Sequence, residues 1–227
     1  KTAQVEARHI LKYIHYQALV YPQISFRLVI DDKEKLNYIA CAERKQRIEE
    51  VFGGGFFEDD IIPVEGKYSD YSINGYIFGL EDRSDKLIDA QYTFINGRYI
   101  FDKTVRHSIK SAYEPFILKT RAWQKGTTPP YILFLEIPPE QIDVNVHPAK
   151  LEVRFRENNL VHSLVWETLT KALRNYEDRK FASARRKFQG GVTGEKATSL
   201  EREIFVKNID VPLFSAYKKE FGELFQG

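Results

Sequence analysis

The feature that most constrains this fold is a proline corner with a strand-like pattern on each side of it. Polar and apolar residues alternate in the stretch DVNV, residues 143–146, and the same period of two returns in LEVRF, residues 151–155. Pro148 fixes its own φ and keeps His147 out of the α region, so the chain cannot continue there as a helix. We therefore predict two short strands joined by a stiff corner, with Lys150 beside its tip.

The corner makes Lys150 a candidate working residue. A lysine at such a tip is a compact cation on a flexible stem, suited to a phosphate that another group brings within reach. The alternative is a solvated lysine at the end of a hairpin, which is the ordinary condition of a surface lysine. The residues alone leave both interpretations open.

Length and composition predict a globular chain that is part of a longer protein. Its 227 residues are 43% hydrophobic, enough for a real core. The lone cysteine, Cys41, cannot form an internal disulfide, which favours a reducing compartment. No apolar run approaches the roughly 20 residues that span a bilayer, so we expect no membrane partner. The chain begins with lysine and contains no methionine, so we expect a fragment.

Hydrophobic periodicity predicts an α+β fold, a mixed sheet with helices on one face. An amphipathic helix and a hairpin come first, followed by a short helix over residues 44–52 and several strands. A further helix is expected after Asp102, which stands at an N-cap position, and a last one over residues 157–173. The pattern then weakens, so we predict a domain over 1–175 and a basic linker with a partly ordered C-terminal segment over 176–227.

The small net charge of +2 conceals two basic segments. Residues 98–125 hold seven lysines and arginines against two acidic residues, and residues 171–187 hold the same numbers. Such a separation of sign within one chain is typical of a surface that binds a polyanion, whereas evenly mixed charge would indicate only solubility.

Three motifs resemble the MutL family of DNA mismatch repair proteins, in the family's order from about Thr2 to about Leu173. They are DVNVHPAK around Lys150, YTFINGR over residues 92–98 with Asp102, Lys103 and His107 after it, and YPQISF over residues 21–26. The resemblance implies a left-handed βαβ domain of the transducer type, as in the GHKL ATPases and in a small-subunit ribosomal protein.

The resemblance also implies roles for two lysines. Lys150 is expected to contact the terminal phosphate of ATP held by a preceding ATPase domain, and Lys103 to contact DNA. Charge and helix geometry add Arg106 and Lys110, one and two helical turns beyond Lys103, and Arg98 is a further DNA-binding candidate.

The remaining motif residues are predicted to be structural. Asn96 and Gly97 match the family wording, yet an Asn-Gly pair also suits an ordinary tight turn. The corner residues Asp143, Asn145, His147 and Pro148 are assigned the same kind of role.

The sequence gives no catalytic residue of its own. ATPases of this superfamily need a glutamate base three residues before an asparagine metal ligand and two glycine-rich motifs, and none of these occurs here. The histidines have no ligand spacing, so no metal site is predicted. We expect a fragment that is inactive alone, with ATP and Mg as cofactors of the full-length protein.

As a function, the resemblance implies DNA mismatch repair, with a transducer domain that couples ATP binding and hydrolysis to DNA binding and partner signalling. The implied partners are DNA, the chain's own ATPase domain, the mismatch-recognition protein MutS, a downstream nuclease or helicase, and a second copy in a homodimer. The implied location is the bacterial cytoplasm, at the nucleoid. The alternative is a standalone module of the same fold that binds RNA or DNA.

Overall fold

A computed structural model of the chain describes residues 3–52, 61–79, 90–117, 129–144 and 152–189. The residues up to Lys180 belong to one compact unit. Its first elements are helix α1, strands β1 and β2, and helix α2, with the bounds Ala3–Val20, Phe26–Ile30, Lys33–Tyr38 and Arg44–Phe52. The predicted hairpin and the predicted short helix are confirmed.

The β1–β2 hairpin turns through two aspartates. Asp31 and Asp32 have φ values of 51° and 56°, and Asp is one of the few non-glycine residues that tolerate this left-handed region. Two successive positive φ values match the twist of the flanking strands, which explains a turn of only two residues.

A mixed five-stranded sheet forms the centre of the unit, in the order β3-β4-β7-β5-β6. The bounds are Ile61–Tyr68 for β3, Tyr71–Phe78 for β4, Gln91–Ile95 for β5, Arg98–Tyr99 for β6 and Tyr131–Glu136 for β7. Strands β5 and β7 run parallel, and helix α3, Lys103–Ile117, belongs to the connection between them. The α+β class and the mixed sheet are confirmed, while the left-handed sense of the crossover stays a prediction.

Helices cover both faces of this sheet, so the prediction of helices on one face was wrong. Leu133 and Leu135 of β7 pack with α3 and with the last helix, α4 (Asn158–Gln189), whereas Ile132 and Phe134 pack with α1 and α2. The reason lies in β7 itself, since five successive residues of this strand are buried. A strand buried on both sides needs a layer on each side.

Helix α4 spans Asn158–Gln189 and crosses β3 closely. At Gly66 a Cβ atom would collide with the hydroxyl oxygen of Thr168 on α4, so any larger residue would force the Thr168 side chain to move. The sequence pattern predicts an end at Leu173, but the helix continues through the basic stretch that is predicted to be linker. Tyr176 prolongs its buried side, and the Ala, Arg and Lys residues beyond are good helix formers.

The corner segment lies between β7 and α4. A 3₁₀ turn at Pro139–Gln141 leads into β8, Ile142–Asp143, which pairs antiparallel with β9, Arg154–Phe155. Of the two predicted strands, 143–146 and 151–155, Asp143 and Arg154–Phe155 form strand, residues 144, 152 and 153 do not, and 145–151 lie outside the described residues. Among the described residues, no helix combines the length and the apolar composition that crossing a membrane requires.

Candidate nucleic-acid interface

Helix α3 begins at a capped end. The backbone N–H of Val105 donates to Oδ1 of Asp102 at 3.0 Å, so the predicted N-cap is present. Asp102 is buried, and this burial raises the pKa of its carboxyl, while hydrogen bonds from the N–H groups of the first turn act in the opposite direction. The cap fixes where the helix starts and therefore which residues face out.

Lys103, Arg106 and Lys110 are all exposed and lie on one side of α3. At 100° per residue, positions three and seven residues after Lys103 fall within about 60° of it. The opposite side of the helix is buried against the sheet through Val105, Ser108, Ile109, Ala112, Tyr113, Phe116 and Ile117. We call Lys103, Arg106 and Lys110 the basic row; Glu114, one turn further and also exposed, ends it with the opposite charge.

Arg98 lies on the same side of the sheet as α3. It pairs with Ile95 across the β5–β6 hairpin, and directly opposed residues of antiparallel strands point to the same face. Ile95 belongs to the cluster that contains α3, so Arg98 projects from that face, at the edge strand, and is exposed. This places a fourth cation on the layer that carries the basic row.

The turn before Arg98 is hydrogen-bonded to a residue outside the β5–β6 hairpin. Asn96 has a φ of 48° and Gly97 a φ of 75°, so the Asn-Gly pair makes a tight turn. The Asn96 side chain donates through Nδ2 to the carbonyl oxygen of Ile137 at 2.7 Å, and Oδ1 accepts from the Ile137 N–H at 2.9 Å. In the structure this amide joins the hairpin to the end of β7.

Phe101 lies between β6 and α3, and the sequence reasoning did not single it out. The residue is 46% exposed. The guanidinium carbon of Arg106 is 4.5 Å from the centroid of its ring, a cation–π distance. Its neighbourhood of basic residues was the signal that could have drawn attention to it, because exposed aromatic rings beside cations are common in nucleic-acid-binding surfaces.

The corner that would carry Lys150 is bounded by described residues but is not itself among them. Asp143 pairs with Arg154, and the N–H of Arg156 donates to the carbonyl oxygen of Gln141 at 2.9 Å. Asn145, His147, Pro148 and Lys150 lie outside the described residues. The base of the corner is therefore a short ladder whose strands lead into and out of it.

A family model decides the identity of the chain. The model described as DNA mismatch repair protein, C-terminal domain, matches residues 48–174, more than half of the sequence. This chain belongs to the DNA mismatch repair protein family.

Within the described residues, no group of three or more His, Cys, Asp or Glu side chains could hold a metal ion.

Curated relatives agree with this, and one solved structure shares the fold. The DNA mismatch repair protein MutL of Actinobacillus pleuropneumoniae is 33% identical over 178 residues, which cover 76% of this chain and 28% of that protein. That of Neisseria gonorrhoeae is 35% identical over 173 residues, 76% of this chain and 25% of that protein. The chain thus spans little more than a quarter of these relatives. A crystal structure described as the N-terminal domain of a DNA repair protein shares the fold, with a TM-score of 0.57 and 22% identity over 79% of this chain and 57% of that one.

The matched mismatch repair region contains both candidate sites, the DNA-binding candidates on the α3 layer and the corner segment before α4. It includes Arg98, the basic row and the two strands on either side of the corner. The structure brings the three residues of the basic row together on one helix. Membership of the mismatch repair family favours a repair role over a standalone RNA- or DNA-binding module.

Proposed function

We propose that this mismatch repair domain binds DNA through the basic row and reports the nucleotide state of an ATPase domain through Lys150. The observation that carries the proposal is the exposed alignment of Lys103, Arg106 and Lys110 on one side of a capped helix. Arg98 adds a cation on the same layer. We further propose a transducer domain over residues 1–175 and an appended segment over 176–227, with α4 continuing from the first into the second.

Cations arranged in this way bind a phosphate backbone by displacing its counterions. Each phosphate contact contributes about −0.9 to the slope of log K against log salt concentration on duplex DNA. Contacts through the basic row and Arg98 should therefore give a slope of about −3 to −4. Such binding carries no sequence information, which suits a protein that must act wherever a mismatch arises.

The DNA part of the proposal can be tested by reversing one charge. Lys103→Glu in the 227-residue chain should weaken duplex DNA binding, and more at low salt than at high salt, because the lost contact is electrostatic. Lys33→Glu, an exposed lysine on the β1–β2 hairpin, is the matched control and should have a smaller effect. Equal effects of the two substitutions at every salt concentration would refute the assignment.

The nucleotide part rests on the resemblance of the DVNVHPAK motif, together with the strand pair at its base. A lysine at the predicted proline corner can complete a phosphate site that another domain mostly builds. In a protein that joins this chain to its ATPase domain, Lys150→Ala should depress ATP hydrolysis, whereas Lys67→Ala, an exposed lysine on β3, should not. Unchanged hydrolysis in the Lys150 variant would exclude this role.

The two parts are coupled in this proposal. If ATP changes the affinity for DNA, then DNA must change the affinity for ATP by the same factor. Family membership supports ATP and Mg as cofactors of a full-length homodimer in the bacterial cytoplasm, at the nucleoid. It also supports MutS and a downstream nuclease or helicase as partners, while this chain alone is proposed to be inactive.

A further inference from the structure

Phe101 and Arg106 form a stacked pair on the surface, at the start of the basic row. Phe101 is 46% exposed, although it lies between a paired strand and a buried helix. A single exposed apolar residue is ordinary on a protein surface. This ring differs from such a residue because a guanidinium lies over it at 4.5 Å and because Lys103 is exposed two residues away.

The guanidinium and the ring offer what an unpaired base requires. Arg106 lies over the ring of Phe101, and the residue remains 46% exposed beside this cation. A nucleobase that stacks there would share the ring with the cation, while Lys103 and Arg98 remain available for phosphates. Stacking surfaces lined by cations are the usual way in which proteins hold single strands.

We propose that Phe101 is a stacking site for an unpaired base of the DNA that this surface binds. The inference deepens the proposed function and rests on it, since the basic row must hold the phosphates. Bases in a duplex are already stacked on both faces and are not accessible to the ring. The ring should therefore contribute to binding of single strands alone.

Three ligands separate stacking from charge. They are a labelled oligothymidine of about 12 nucleotides, an abasic oligomer of the same length and charge, and a duplex. For the 227-residue chain, Phe101→Ala should raise the Kd for oligothymidine about five- to tenfold and leave the other two values unchanged. Tyr13→Ala, which removes an exposed ring on α1, should change none of them.

A second variant keeps the test valid if Phe101→Ala perturbs the fold. Phe101→Trp should bind oligothymidine at least as tightly as the original chain. Its added fluorescence, after subtraction of the two native tryptophans, should be quenched by oligothymidine and not by the abasic oligomer. Quenching by both, or by neither, would overturn the stacking site.

The outcomes also distinguish this inference from the proposed function. If Lys103→Glu weakens the binding of all three ligands while Phe101→Ala leaves the Kd for oligothymidine unchanged, the proposed DNA binding stands and the stacking site is refuted. If Lys103→Glu weakens the binding of none of the three ligands, the proposed function itself is refuted. Tighter binding of oligouridine than of oligothymidine would overturn the assignment to DNA.

Discussion

The side-chain amide of Asn96 holds the main chain of Ile137 at both of its polar groups. Nδ2 donates to the Ile137 carbonyl oxygen at 2.7 Å, and Oδ1 accepts from the Ile137 N–H at 2.9 Å. Within the parallel ladder, Ile95 pairs with Leu135, and the Asn96 N–H donates to the Leu135 carbonyl oxygen at 2.9 Å. The amide therefore continues the pairing of β5 with β7 beyond the last strand residue, at the hairpin that carries Arg98.

Substitution of Asn96 should separate the contribution of these hydrogen bonds from that of the backbone. Asn96→Gly removes the amide but tolerates the φ of 48°, and it should lower the free energy of unfolding by about 1–3 kcal/mol. Asn96→Ala should cost about 1 kcal/mol more, because a Cβ atom disfavours this left-handed conformation. Urea unfolding of the two variants measures both the loss of the hydrogen bonds and the cost of the backbone conformation. Equal stabilities of the two variants would contradict the backbone cost.

Arg47 is the second residue whose side chain joins distant segments. Its side chain is fully buried, and Nη2 donates to the carbonyl oxygens of Pro22, Ile24 and Ile39 at 2.8–2.9 Å. Nη1 lies 3.3 Å from a carboxylate oxygen of Glu50. One guanidinium therefore connects α2 to the segment after α1 and to the end of β2.

Removal of this guanidinium should cost more than removal of an exposed one. Arg47→Met leaves three carbonyl groups without their donor and should lower the free energy of unfolding by about 3 kcal/mol. The control is Arg27→Ala, which breaks the exposed Arg27–Glu34 ion pair of 2.8 Å and should cost less than about 1 kcal/mol. Chemical denaturation would refute the proposed role of Arg47 if the two losses were alike.

These two residues illustrate what the sequence could predict. The bounds of α2 and the Asn-Gly turn depend on residues close in the chain, and the sequence predicted both. The partners of Arg47 and Asn96 depend on the fold, since Ile137 is 41 residues from Asn96. A pattern of charges assigns every arginine to the surface, so no local signal could predict that Arg47 is buried.

The same distinction applies to the candidate site. Exposure of the basic row followed from helical periodicity, because a helix with one apolar side turns its charges outward. The second helical layer on the sheet could not be predicted in this way, because apolar residues in a strand do not reveal which element covers each face. The contact between Phe101 and Arg106 could not be predicted either, since it depends on the geometry of the connection between β6 and α3.

The cap of α3 gives a prediction with opposite signs for two substitutions. Asp102→Ala removes the acceptor for the Val105 N–H and should lower the free energy of unfolding by about 1 kcal/mol. Asp102→Asn keeps an acceptor and removes a carboxylate whose pKa is raised by burial, so its stability near neutral pH should equal or exceed that of the original chain. Thermal unfolding of both variants tests this; a loss in Asp102→Asn as large as in Asp102→Ala would show that the charge is required.

Two histidines should make the stability of the fold depend on pH. Nε2 of His162 on α4 lies 3.4 Å from Nδ1 of His107 on α3. Burial first, and then the charge of His107, lowers the pKa of His162 below its ordinary 6.5. Burial also lowers the pKa of His15, whose ring lies 5.9 Å from that of Tyr38.

A lowered pKa means that the unfolded chain binds the proton more readily than the folded one. Stability from these histidines is therefore fully present above pH 6.5, the ordinary value, and is lost as the pH falls through the folded values. Denaturation between about pH 8 and pH 5 measures the effect, because this interval brackets the ordinary titration of histidine. The double variant His15→Gln, His162→Gln should lose less stability over this interval than the original chain does, since its glutamines cannot take up the proton. An unchanged dependence on pH would mean that other groups account for it.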